Sequence, residues 1–149
     1  MYTGGIYHTT LNDGDLYTIE YQATWADAHV SHIRGLLCRT VDDFFREISS
    51  SMRFPFYFGQ NWDAFDECIT DLEWLKFKSI QIVFDHFEHM FTAYDDLSER
   101  KKQLSLLEKY LSIAYHFWEE QGIAFTVIFN ESLKKTRSEE HTSELQSPQ

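Results

Sequence analysis

Asp63, Asp66, Glu67 and Asp71 lie close together in the stretch FPFYFGQNWDAFDECITDLEWL, Phe54 to Leu75, and no Lys or Arg occurs between Gln60 and Leu75. Ionised carboxylates accept hydrogen bonds and donate none, and their strongest partners are Arg, Lys and protonated His. Such a group suits docking into a basic, phosphate-binding pocket better than it suits catalysis. A glycosidase acid pair made of Asp63 and Glu67 would need a cleft and one buried carboxyl with a raised pKa. A convex helix face offers neither. Cys68 as a nucleophile would need a cation or His beside it; none is near in sequence, and a buried thiol is expected. His86 and His89, spaced i, i+3 around Glu88, could reach one metal, but packing is the simpler reading. His29 and His32 sit at odd spacing in a predicted strand and face opposite sides. No catalytic residue, no metal site and no cofactor is expected.

The acids must be held by a helix. Asn61 is a good N-cap, and the helix is predicted to run to about Leu72. At 100° per residue Trp62, Phe65, Ile69 and Leu72 fall on one side. Asp63, Glu67 and Asp71, at i, i+4 and i+8, fall on the opposite side, with Asp66 and Thr70 beside them. Like charges at i, i+4 oppose each other by a few tenths of a kcal/mol per pair. Asp63 and Asp66 recover part of this from the positive end of the helix dipole, and Asp71 does not. A plain solvated face would explain the acids. The missing cations and the adjoining rings of Phe56, Tyr57 and Phe58 favour a binding surface instead, since aromatics beside desolvatable charges make up binding hot spots.

Around this stretch the chain alternates strand and helix patterns. Leu16 to Ala23 reads as a short strand by its aromatic and β-branched content, and Val30 to Ile33 as another, with Gly35 as a turn. Thr40 caps a helix on which Val41, Phe44, Phe45, Ile48 and Met52 form one apolar stripe. Pro55 stops any continuation. Ser79 to Asp85 reads as a buried strand and His86 to Tyr94 as a short helical turn. A long helix follows from Ser98 to Gln121, with Gly122 at its C-terminal stop. Its rows Leu104, Leu107, Leu111, Ala114, Trp118 and Leu106, Tyr110, Ile113, Phe117 predict a wide, largely buried face. Ile123 to Asn130 reads as a central strand. This order implies an α/β domain with a parallel sheet and helical crossovers.

The stretch resembles the barstar family, intracellular inhibitors of barnase-type ribonucleases. The resemblance rests on an aromatic loop ending in Gly, followed by a helix opening Asn–x–Asp–Ala–x–x–x–Cys. Tyr57, Phe58, Gly59, Asn61, Asp63, Ala64, Cys68 and Ile69 fall in register, and the likeness spans residues 29–130. It implies a small three-stranded parallel sheet packed against helices. It also implies a loop and acidic helix that plug a nuclease active site, the acids taking the place of substrate phosphates. Tyr57 matches the interface tyrosine, Gly59 the loop glycine, Asn61 the helix cap, and Asp63 and Glu67 the pair of interface acids. Glu67 is one methylene longer than the family's Asp, Asp66 replaces a Trp, and Phe117 stands where the last helix has a Glu, with Glu119 and Glu120 nearby. A diverged nuclease is therefore the expected target, bound by Tyr57, Phe58, Gly59, Asn61, Asp63, Asp66, Glu67 and Asp71.

The bulk composition agrees with an inhibitor. The 149 residues carry a formal net charge of −11, with 43% hydrophobic and 17% aromatic residues, enough for one domain with a real core. An acidic surface repels nucleic acid and speeds association with basic proteins. Cys38 and Cys68 are too few for a disulfide framework, which suits a reduced, cytoplasmic protein; no signal peptide and no membrane span is apparent. Residues 1–28 lie outside the resemblance, carry no readable function, and add a strand, a lid or nothing. Residues 131–149 read as a disordered tail, and Arg137 to Gln149 resembles translated read-through of a sequencing-library adapter. Without that segment's one arginine and three glutamates the net charge is still −9. The expected function is an intracellular ribonuclease inhibitor, monomeric when free, with no membrane and no nucleic-acid partner. The alternatives are an immunity protein against another toxin, or an acidic adaptor for a basic protein that is not a nuclease.

Overall fold

Asn12 decides how the N-terminal part of the chain folds. Its side chain accepts a hydrogen bond from the Asp15 backbone N–H at 2.8 Å and opens helix α1, Asp13–Trp25, with Asp13 and Asp15 in the first turn. The strand expected over Leu16 to Ala23 is therefore a helix. The cap and the first-turn acids favour helix here. The aromatics that suggested a strand instead line one exposed helix face, Tyr17 stacked on Tyr21 at 6.1 Å and Tyr21 edge-on to Trp25 at 6.2 Å. Their spacing of four residues suits a helix as well as their side-chain types suit a strand.

The computed structural model describes residues 2–55 and 58–132. The tail expectation for 131–149 lies almost wholly outside the described residues, as do Phe56 and Tyr57. Strand β1, Gly5–Thr9, precedes α1; then come β2 (Ala28–Arg34), α2 (Val41–Met52), α3 (Trp62–Ile69), β3 (Ser79–Asp85), α4 (Leu97–Glu120) and β4 (Phe125–Asn130). Short 3-10 turns at Gly35–Leu37 and Phe87–His89 follow β2 and β3. The four strands form one all-parallel sheet in the order β1-β4-β3-β2. The N-terminal segment thus adds a fourth strand to the three expected, paired with β4 from Gly5↔Thr126 to Thr9↔Asn130. Asn130 secures it: its Oδ1 accepts from Thr9 Oγ1 at 2.6 Å and Leu11 N–H at 2.7 Å, and its Nδ2 donates to Leu11 O at 3.0 Å.

Parallel crossovers are right-handed, and this places the helices. The chain crosses the whole sheet from β1 to β2, then returns through β3 to β4, so α1 lies on one face and the later helices on the other. Period-2 alternation along β3 sends Ile80, Ile82 and Phe84 into the main core with Phe44, Phe65, Ile69 and Leu111, while Val83 joins Leu16 and Ile128 in a small cluster under α1. Thr40 caps α2 with a reciprocal capping box to Asp43, and its stripe Phe44, Phe45, Ile48, Met52 is fully buried.

One expected face and one expected boundary differ. In α4 the row Leu107, Leu111, Ala114, Trp118 is buried, whereas Ile113 is 41% and Phe117 36% exposed. The helix packs against α3, β4 and β1, which covers the first row and only the Leu106 and Tyr110 end of the second. Helix α3 ends at Ile69 instead of Leu72. Thr70 Oγ1 donates to Asp66 O at 2.7 Å, and Leu72 turns left-handed with φ 51°, fully buried. Burying Leu72 takes the chain out of the helix two residues before it.

Candidate functional site

The base of the site is aromatic. Trp62, the first residue of α3, stacks on Tyr110 of α4 at 5.5 Å, meets Phe45 of α2 edge-on at 5.0 Å, and donates its indole N–H to Gln103 Oε1 at 2.9 Å. Phe65, Cys68 and Ile69 are buried beneath the helix. At the other end Trp118 donates its indole N–H to Ile69 O at 2.8 Å, which satisfies a carbonyl that the helix terminus leaves open. A helix of eight residues is marginal alone; these contacts fix its orientation.

The N-terminus is set by the loop. Asn61 Oδ1 accepts from Ala64 N–H at 2.8 Å, and Asn61 Nδ2 donates to Gly59 O at 3.3 Å. A Cβ on Gly59 would lie 3.3 Å from that Nδ2, so any side chain there presses on the cap. Phe58 points partly inward, edge-on to Phe54 at 5.0 Å and to Phe45 at 5.8 Å. It acts first as a support. Tyr57, expected to be the interface tyrosine, lies outside the described residues.

The acids divide into two kinds. Asp63 and Glu67 lie one turn apart and are exposed on the outer face of α3. Asp71 is exposed too, but it sits in the turn after α3, so the predicted i, i+4, i+8 row is shortened to its first two members. Asp66 is half-buried, and its Oδ1 is shielded without a hydrogen-bond partner among the described residues. None of the four takes part in an ion pair among the described residues; the ion pairs lie elsewhere, as at Arg34–Glu47 and Arg46–Asp43.

Glu67 and Asp71 converge with Phe58, Gly59, Ala64 and Cys68 on an open notch of about 280 Å³. The sequence reading did not anticipate a concavity here. The small residues Gly59 and Ala64 were its signal, because they leave the space beside the ring of Phe58 unfilled. Cys68, 6% exposed, forms part of this notch. Burial, and then the negative charges of Asp71 and Glu67, push its thiol pKa up. That argues against a nucleophile. Among the described residues no cluster of three or more His, Cys, Asp or Glu could hold a metal ion, and no helix is long and apolar enough to cross a membrane. The arrangement can present unneutralised carboxylates on a rigid support, around a notch, to a cationic partner.

The family model for barstar (barnase inhibitor) matches residues 28–130. The chain belongs to the barstar family. No individual curated protein matches it significantly. The barstar family is a non-enzymatic inhibitor family, and membership suggests an inhibitor that binds a barnase-type ribonuclease. The barstar match begins at the first residue of β2 and ends at the last of β4, so β1 and α1 precede it.

Proposed function

We propose that this protein inhibits a barnase-type or diverged ribonuclease by covering its active site with the acidic face of α3 and the loop before it. Asp63 and Glu67 take phosphate positions and face the enzyme's cations. The notch beside Phe58 and Gly59 receives a flat cationic side chain between Glu67 and Asp71. Tyr57 packs on the rim, and Asn61 with Gly59 holds the loop in register. The observation that carries this reading is that Asp63, Glu67 and Asp71 are exposed and free of ion pairs among the described residues. Charges already neutralised within the molecule would give a nuclease nothing to bind.

The protein acts in the cytoplasm, as its two buried free cysteines suit, and is a monomer when free. A toxin–antitoxin or immunity role fits the same site, with the nuclease as toxin. The test is affinity for a panel of barnase-type nucleases, wild type against Asp63→Ala, Glu67→Ala and the double variant. Asp63→Ala should weaken the best complex by about 2–5 kcal/mol, mainly by leaving the enzyme's buried cations unpaired. Unchanged affinity in the double variant would remove the site assignment. Binding of a basic non-nuclease with no inhibition across the panel would make the protein an adaptor.

A further inference from the structure

The outer side of α1 carries three aromatic side chains that no other described element covers. Tyr17 is 66%, Tyr21 51% and Trp25 74% exposed, at i, i+4 and i+8 along the helix. Leu16 is buried against the sheet, and the helical period turns the three rings away from it. The rings support one another. Tyr17 stacks on Tyr21 at 6.1 Å and Tyr21 meets Trp25 edge-on at 6.2 Å, which orders the row before any partner arrives.

The surroundings of the row are acidic. Residues 1–33 contain Asp13, Asp15, Glu20 and Asp27 and no Lys or Arg. Asp13 is exposed one turn before Tyr17, on the same side of α1. Arg34 is paired with Glu47, and Lys76 and Lys78 stand beside Asp27, beyond the Trp25 end. Among the described residues the one cation seated on an aromatic ring is Lys109, on Tyr110. The rings of Tyr17, Tyr21 and Trp25 are therefore open to a cation from outside. A nucleic acid is repelled by these acids. The rings also make no flat platform for a base or sugar, since Trp25 stands at 71° to Tyr21. A second copy would set the same acids against each other. Three rings at these exposures offer about 400 Å² per copy, against about 800 Å² per partner in a stable complex. That area suits a short segment.

We propose that the row Tyr17, Tyr21, Trp25 docks an arginine-bearing segment of a basic protein other than the nuclease. Guanidinium groups lie on the ring faces, and the acids at the Tyr17 end hold the segment's charge. The ring spacing of 6.1 and 6.2 Å matches alternate residues of an extended chain, about 6–7 Å apart. The sheet separates the small cluster under α1 from the core under α3. A nuclease covering α3 leaves this row free, so both partners bind at once.

The hexapeptide Arg-Gly-Arg-Gly-Arg-Gly and its lysine counterpart are suitable probes. Each is titrated into the full chain, followed by the indole N–H signal of Trp25 and the amide signals of Tyr17 and Tyr21. The arginine peptide should shift these signals at up to millimolar concentration. The lysine peptide should bind at least about threefold more weakly, because an ammonium cannot lie flat on a ring. The double variant Tyr17→Leu, Tyr21→Leu keeps apolar bulk and removes two ring faces, and should weaken binding about 5- to 30-fold. Asp13→Asn should weaken it about 2- to 5-fold. These side chains are exposed, so weaker binding at an unchanged Tm reports lost contact. The double variant Asp63→Ala, Glu67→Ala should bind the peptide as the wild type does, which separates this site from the nuclease reading. Absence of shifts at the row, or equal affinity for the two peptides, would overturn the inference. So would wild-type affinity in the Tyr17→Leu, Tyr21→Leu variant, loss of binding in the Asp63→Ala, Glu67→Ala variant, or displacement of the peptide by polyuridine RNA. The shift map on the wild type decides the matter even if a variant fails to fold.

Discussion

His32 Nε2 on β2 lies 2.7 Å from Asp85 Oδ2 at the end of β3, while the other ring nitrogen of His32 is bonded to Glu20 of α1. One imidazole thus joins the helix before the barstar match to the central sheet. Its hydrogen bonds to Asp85 and then to Glu20 outweigh burial and raise the His32 pKa from 6.5 to about 10.

Stability should therefore decline in alkali. A folded-state pKa above the unfolded one means that the contribution is fully present below about pH 6.5 and is lost as pH rises towards about 10. Asp85 works in the other direction. Burial pushes its carboxyl up, but hydrogen bonds from His32, His86 and the Gly35 N–H bring it below the ordinary value, so its contribution is lost on acidification. His32→Gln should flatten the alkaline limb of a Tm-against-pH profile. Because the His32 side chain is 35% exposed, the loss at neutral pH should be only about 1–2 kcal/mol. An unchanged alkaline limb would remove the assignment.

Gly35 should tolerate no side chain. A Cβ there would lie 2.3 Å from the backbone oxygens of both Asp85 and His86, and the clash is with backbone that cannot turn aside. The Gly35 N–H also donates to Asp85 Oδ1 at 3.0 Å. Gly35→Ala should destabilise the protein by at least about 3 kcal/mol in urea unfolding. A loss under about 1 kcal/mol would mean that the junction between β2 and the turn after β3 is looser than the geometry shows.

Association with the nuclease should be salt-sensitive, chiefly through the on-rate. Exposed acids attract a basic surface over roughly 8–10 Å at moderate ionic strength, and added salt shortens that reach. Stopped-flow measurements should show kon falling by at least about tenfold between low and high salt, while koff moves less. Asp63→Asn and Glu67→Gln should each reduce the salt slope. A salt-independent kon would argue against electrostatic steering by α3.

Cys68 offers a footprint of the site. Its raised thiol pKa and 6% exposure predict slow alkylation by iodoacetamide at neutral pH, faster as pH rises. A nuclease seated in the notch should slow it further, by an order of magnitude or more. Cys38, fully buried with its pKa pushed up to about 12, should stay unreactive in both states. Equal Cys68 labelling with and without a bound nuclease would place the interface elsewhere.

Local patterns were sufficient for much of the architecture. The stripe from Phe44 to Met52 follows the helix period, and Thr40 and Asn61 are caps that bond to backbone two or three residues away. SIQIVFD forms β3 over the same span that its apolar run predicted. The outward direction of Asp63 and Glu67 follows from the buried side of the same short helix. Each of these depends on neighbours within a turn or two, and sequence spacing carries that information directly.

Tertiary contacts decided the rest. The Asn12 cap makes Leu16 to Ala23 a helix, but only the sheet decided which side of it is buried, with Leu16 packed on Val83 and Ile128. Phe117 and Ile113 stayed exposed because, among the described residues, no second layer covers that side of α4, a fact absent from the helix's own periodicity. Asp71 left the helix when Leu72 turned into the core. The notch at Glu67 and the cleft at Gln81, between α1 and the strand ends, both arise where separate elements meet around residues too small to fill the gap between them. Spacing along one chain encodes which way a side chain points; the space left between two elements exists only after they have packed.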